Sequence, residues 1–92
     1  MKKWVINNLG AYELHFCPFY DDEILLSFCV DKNDKTLYWF VSDLLKIEED
    51  CQHFDSIDEA KEEFENLIAE YFGDQIIYYE GILNKFQNNT KG

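Results

Sequence analysis

Apolar and polar residues alternate along the N-terminal half of this chain, then recur every three or four residues along the remainder. Tyr12, Leu14 and Phe16 share one side of a run whose other side carries Glu13, His15 and Cys17. A period of two marks a half-buried strand, because successive side chains point to opposite faces. Pro18 ends the run by removing a ladder donor. The alternation resumes from Glu23 to Val30, with Ile24, Leu26, Phe28 and Val30 on the apolar side. Leu25 and Cys29 on the opposite side predict a central strand partly covered on both faces. Asp31-Lys32-Asn33-Asp34-Lys35 is a polar turn, and Thr36 to Ser42 is the return strand of a hairpin. Its alternation predicts Leu37, Trp39 and Val41 inward, with Tyr38 and Phe40 on the outer face. Trp4-Val5-Ile6 predicts a short first strand that turns away at Gly10.

The period changes near residue 55. Ser56-Ile57-Asp58-Glu59 forms a capping box, in which the Ser hydroxyl serves an orphan amide and Glu59 reaches back. Ile57, Ala60, Phe64, Leu67, Ile68 and Tyr71 then fall on one arc of a helical wheel. Gly73 predicts a left-handed stop and Asp74 a new cap. Ile76, Tyr79, Leu83 and Phe86 stripe the second helix, which Gly81 weakens by about 1 kcal/mol relative to Ala. Residues Asn88–Gly92 are expected to fray. The predicted fold is α+β: a three- to four-stranded antiparallel β-meander over about residues 3–42, an acidic loop over 43–55, and two C-terminal helices over about 57–72 and 75–87. Both helices pack on one sheet face, because strands followed by helices give segregated layers. Phe64 and Trp39, central in their stripes, are expected to meet in the core. The chain, residues 1–92, is read as a single domain.

Charge changes the picture more than any motif. The net charge is −11, and eleven of the 19 acids lie between Ile47 and Asp74 against one base, Lys61. On the first helix, Asp58, Glu59, Glu62, Glu63, Glu65 and Glu70 fall on the solvent arc. Six charges on a helix about 24 Å long give about one per 4 Å, against about one per 1.7 Å along duplex DNA. Glu48, Glu49, Asp50 and Asp55 raise that density toward a single strand's. Most charged helix faces are simply solvated. A solvated face usually mixes signs, however, and here Asp58/Glu62 and Glu59/Glu63 are like-charge pairs at i,i+4, which cost stability. A field of this kind repels nucleic acid and anionic membrane and attracts cationic grooves on other proteins.

All eight bases are lysine. Without arginine the chain lacks the bidentate donor for phosphate and guanine, so direct nucleic-acid binding is not expected. No apolar run approaches the roughly 20 residues of a membrane span, and the N-terminus lacks a signal-peptide pattern. Three cysteines, Cys17, Cys29 and Cys51, are an odd count that suits reduced thiols in a cytoplasmic protein. His15-x-Cys17 and Cys51-x-His53 lack the ligand spacing of zinc sites, so no metal or cofactor is expected. Cys51 and His53 do not form a nucleophile–base pair, because acidic neighbours raise a thiol pKa and nothing orients the imidazole. No catalytic residue is assigned, and an enzyme is not expected.

The aromatic content, 17% of residues, exceeds what one small core needs. Tyr38 and Phe40 are therefore candidates for an aromatic interface as well as for a second covered face. No motif names a family. The habit of the chain (92 residues, strongly acidic, arginine-free, without a catalytic constellation) resembles that of small bacteriophage inhibitors of CRISPR or restriction nucleases. It is similar also to that of immunity proteins that neutralise nuclease toxins. The reading is a non-enzymatic inhibitor that mimics nucleic acid. Its partner would be a basic nucleic-acid-binding protein or nuclease, met by Glu48, Glu49, Asp50, Asp58, Glu59, Glu62, Glu63, Glu65 and Glu70. The alternatives are an immunity protein, or a homodimeric accessory module joined through the aromatic sheet face.

Overall fold

A computed structural model describes residues 1–89. Five strands follow one another in chain order: β1 (Lys2–Ile6), β2 (Tyr12–Phe16), β3 (Glu23–Val30), β4 (Leu37–Ser42) and β5 (Ile47–His53). They form one antiparallel sheet in the order β1-β2-β3-β4-β5. A single helix, α1 (Ile57–Asn89), follows. The class is α+β, with five strands and one helix where three or four strands and two helices were predicted.

The fifth strand replaces most of the expected acidic loop. Polar runs such as Ile47-Glu48-Glu49-Asp50-Cys51-Gln52-His53 carry little strand propensity. Here the backbone pairing with β4 supplies what the side chains do not. The helix is also continuous where a break was expected. Gly73 does not take a left-handed φ; among the described residues the positive values are those of Gly10 (83°) and Lys46 (59°). A helical glycine costs only about 1 kcal/mol, and intact helix on both sides absorbs that. The helix runs through Asn88 and Asn89, and the rest of the expected frayed tail lies outside the described residues.

The core lies between the sheet and the first half of α1. Leu14, Leu26, Phe28, Tyr38 and Phe40 from the strands meet Phe54, Ala60, Phe64 and Ile68. Phe64 is its hub, with ring centroids 4.7 Å from Phe40, 5.2 Å from Phe28 and 5.3 Å from Phe54. Tyr38 and Phe40, expected outward, are therefore core residues, 2% and 5% exposed. Trp39 lies on the opposite face, half-buried, and its indole N–H donates to Asp31 Oδ1 at 3.0 Å. The inversion has a physical reason. Leu37 to Val41 is apolar on both faces, so alternation does not choose between them. Ser42, polar but buried, is in phase with Tyr38 and Phe40. Its hydroxyl donates to the Leu25 carbonyl at 2.7 Å and accepts from Leu45 N at 3.1 Å, which satisfies it inside the core.

Strand β3 holds a second departure. Leu14 pairs with Leu26 and His15 with Ile24, so Leu25 is an extra residue at a bulge. The bulge keeps Leu25 and Leu26 in the core and turns Ile24 onto the outer face, where it is 49% exposed.

The molecule measures 62 × 28 × 21 Å, with a radius of gyration of 17.1 Å. A compact chain of this length has about 12 Å. Helix α1 causes the excess: at about 1.5 Å per residue it is roughly 50 Å long, and it outruns the sheet.

Candidate functional site

The charged surface is set by how α1 is clamped to β1. Glu65 accepts a hydrogen bond from the Trp4 indole N–H at 2.7 Å and forms an ion pair with Lys2. The Lys2 ammonium, first, and the indole hold the Glu65 carboxyl below the usual carboxylate range. Lys61, one turn earlier, lies over the rings of Trp4 and Tyr12, 5.9 and 5.3 Å from their centroids. Lys61 and Glu65 thus face β1. A step of about 100° per residue then turns Glu59, Glu63 and Glu70 to the side away from β1, with Glu62 outermost.

Asp58, Glu59, Glu62, Glu63 and Glu70 are all exposed, as are Glu48, Glu49 and Asp50 on β5. Asp58 and Glu59 sit in the first helical turn, where the positive end of the helix dipole favours them. The expected cap is in place: Glu59 N donates to Ser56 Oγ at 3.1 Å, and Glu59 Oε2 accepts from Asp55 N at 3.3 Å. Strand β5 is the sheet edge opposite β1. Asp50 is paired with Phe40 and so shares the helix-bearing face of the sheet. The register shift between Phe40 and Ser42 puts a bulge in this edge, and edge charge with a bulge deters strand addition.

Eight of the nine sequence-predicted acids are therefore exposed on the helix and on the β5 edge, with Glu59 also accepting from Asp55 N and Asp50 from Cys51 N. The ninth, Glu65, does not join them: it is committed to Lys2 and Trp4 on the β1 side. The bases Lys2, Lys3 and Lys61 are on that side too, while Lys46, just before β5, is the exposed base beside the β5 acids.

No thiol pair or metal cluster accompanies this surface. Cys29 and Cys51 both stand opposite Trp39, on the strands either side of β4. Two strand spacings separate them by about 9.6 Å, beyond disulfide reach. Among the described residues no group of three or more His, Cys, Asp or Glu could hold a metal ion, and no helix is long and apolar enough to cross a membrane. His15 is flanked by Asp22 Oδ2 at 2.5 Å and Glu13 Oε1 at 2.9 Å. The two carboxylates, Asp22 first, raise its pKa above the ordinary imidazole value. Both ring nitrogens are thereby engaged, so the imidazole is not presented as a free base. A cleft of about 570 Å³ beside Gly10, Tyr12 and Trp39 contains Asp31 and Cys29. Asp31 is already bonded to the Trp39 indole and to the amides of Asn33 and Asp34.

Sequence reasoning missed two features. The Glu65 clamp could have been sought in Lys2 and Trp4, the unpaired base and donor of a first strand. The second is the apolar half of α1 beyond the sheet, whose stripe was assigned to a second packed helix. No protein-family model, curated protein or solved structure matches the chain.

Proposed function

We propose that the chain is a non-enzymatic binding protein whose acidic side docks in the basic nucleic-acid channel of a partner protein and excludes the nucleic acid. The observation that carries this reading is the density of exposed acids over Ile47–Asp74, where Lys61 is the one base. The β1 side takes up Glu65, and Asp58, Glu59, Glu62, Glu63 and Glu70 with the β5 acids Glu48, Glu49 and Asp50 remain exposed, with Lys46 as the base next to β5. A solvated surface gains nothing from crowding like charges, whereas a docking surface gains long-range attraction and a fixed orientation of approach.

Carboxylates at helical and strand spacing stand in for backbone phosphates. They meet lysine and arginine side chains that otherwise neutralise nucleic acid, so binding competes with that ligand by shared charge. The helix and sheet hold the acidic groups rigidly, which lowers the entropy lost on docking. The phage-inhibitor and immunity-protein types share this chemistry and differ only in which nuclease is met. A cytoplasmic setting fits both, since three cysteines would stay reduced there.

The test is competition. A basic nuclease captured by the chain should be released by added oligonucleotide and by salt. The triple reversal Glu59→Lys, Glu62→Lys and Glu63→Lys should lose capture while its circular dichroism still reports the folded sheet and helix, with an unfolding midpoint lowered by loss of the Glu59 cap bond. Retained capture by the triple variant rejects the reading.

A further inference from the structure

The second half of α1 leaves the sheet with its apolar stripe uncovered. Phe72, Ile76, Tyr79, Leu83 and Phe86 are 39%, 58%, 62%, 52% and 67% exposed. Their spacing is four, three, four, three, the a/d repeat of a helix that packs against another helix. Phe72, Ile76, Tyr79 and Leu83 already line one shallow groove along the helix. The five side chains offer about 500–600 Å² of apolar surface, at the upper limit for a patch on a monomer.

From the seam we infer that two copies of the chain pair through these helices in antiparallel orientation. Antiparallel packing sets each a position against a d position of the other helix. With the twofold axis between Ile77 and Tyr78, Ile76 meets Tyr79 of the second copy and Phe72 meets its Leu83. Phe86 meets Ala69 of the second copy. The bulkiest end of one seam thus lies over the smallest position of the other, as close packing requires. Six layers result over about 26 Å of helix.

Charge supports the same occupant and the same direction. The seam's flanking positions carry Gly73, Gln75, Glu80, Ile82 and Gln87, and this register sets Glu80 beside Gly73 of the second copy, so no like charges oppose. The acidic row lies in the first half of α1, and antiparallel pairing sends the two rows to opposite ends, where parallel pairing would set them side by side. The helix dipoles also oppose. A membrane surface is the less suitable occupant, because residues 71–89 carry one base, Lys85, against Asp74 and Glu80, and interfacial helices hold a basic polar face. Pairing that covers both patches buries at most about 1,100 Å² in total, near the low end of specific interfaces, which suits a concentration-dependent dimer. This inference does not depend on the acidic-docking reading, since the paired segment, residues 69–86, lies C-terminal to Asp58, Glu59, Glu62 and Glu63.

The experiment is sedimentation velocity or light scattering on the full chain at about 100 µM, a concentration at which a micromolar dimer is filled. Twice the chain mass is expected. Ile76→Glu with Leu83→Glu should return it to one chain mass with unchanged tryptophan fluorescence. Orientation is read in a chain whose Cys17, Cys29 and Cys51 are serine. There, Phe72→Cys with Leu83→Cys should oxidise to a covalent dimer, whereas Leu83→Cys alone should not. A single-chain mass for the unaltered protein, a dimer that survives the double glutamate substitution, or ready cross-linking through Leu83→Cys alone overturns the proposal.

Discussion

Removing the Phe64 side chain tests the sheet–helix interface at its centre. Phe64 is 1% exposed and touches the rings of Phe28, Phe40 and Phe54. Phe64→Ala deletes the six ring carbons from a site walled by sheet on one side and by Ile68 and Ala60 along its own helix. The surrounding rings are fixed on β3, on β4 and on the β5–α1 connection, so the gap does not close by a single side-chain rotation. Lost transfer energy and the residual cavity together give about 3–5 kcal/mol. A domain of this size has about 5–10 kcal/mol in all, so the variant should lose about half of its stability. The assay is urea denaturation followed by tryptophan fluorescence and far-ultraviolet circular dichroism. Phe19→Ala is the control, because Phe19 is 86% exposed and should change stability by less than about 0.5 kcal/mol. A cost below about 1 kcal/mol for Phe64→Ala would refute the packing described for the core.

Three other expectations follow from single contacts. Ser56→Ala removes the acceptor of Glu59 N and should cost about 1 kcal/mol, read as a lowered unfolding midpoint; an unchanged midpoint contradicts it. His15 has a raised pKa from Asp22 and Glu13. The stabilisation from these partners is therefore full below the unfolded value of about 6.5 and is lost as pH rises through the higher folded value. An NMR titration should place the His15 midpoint above the unperturbed value and His15→Gln should flatten the stability profile in that window; a midpoint at or below the unperturbed value contradicts it. The thiols of Cys17, Cys29 and Cys51 are free, so denatured, unreduced protein should titrate three thiols, and one thiol would reveal a disulfide.

The strand and helix periods were legible because each depends on side chains alone. Tyr12 to Phe16, Glu23 to Val30 and the Ser56 cap announce themselves by alternation and by cap chemistry. Features that depend on tertiary context were not. Strand β5 reads as a polar loop because its pairing with β4 is a backbone matter. The face of β4 was undecidable while Tyr38, Trp39 and Phe40 were all aromatic, and the buried Ser42 that settles it looks like a surface residue until its two hydrogen bonds are seen. Gly73 carries a stop signal in sequence, but its helical φ follows from the helix continuing on both sides. For the surface, the acidic content was plain in the sequence. The withdrawal of Glu65 was not, since it requires Lys2 and Trp4 to meet residues more than sixty positions away.

The exposed acids of α1 and β5 are proposed as a docking surface for a cationic channel. The most direct measurement is capture from a bacterial lysate by the immobilised chain and by its Glu59→Lys, Glu62→Lys, Glu63→Lys variant, side by side, each followed by elution with oligonucleotide. The account predicts a basic nucleic-acid-binding protein that the unaltered chain retains, oligonucleotide displaces, and the variant fails to hold. A partner held equally by the variant, or one that oligonucleotide does not displace, would contradict it.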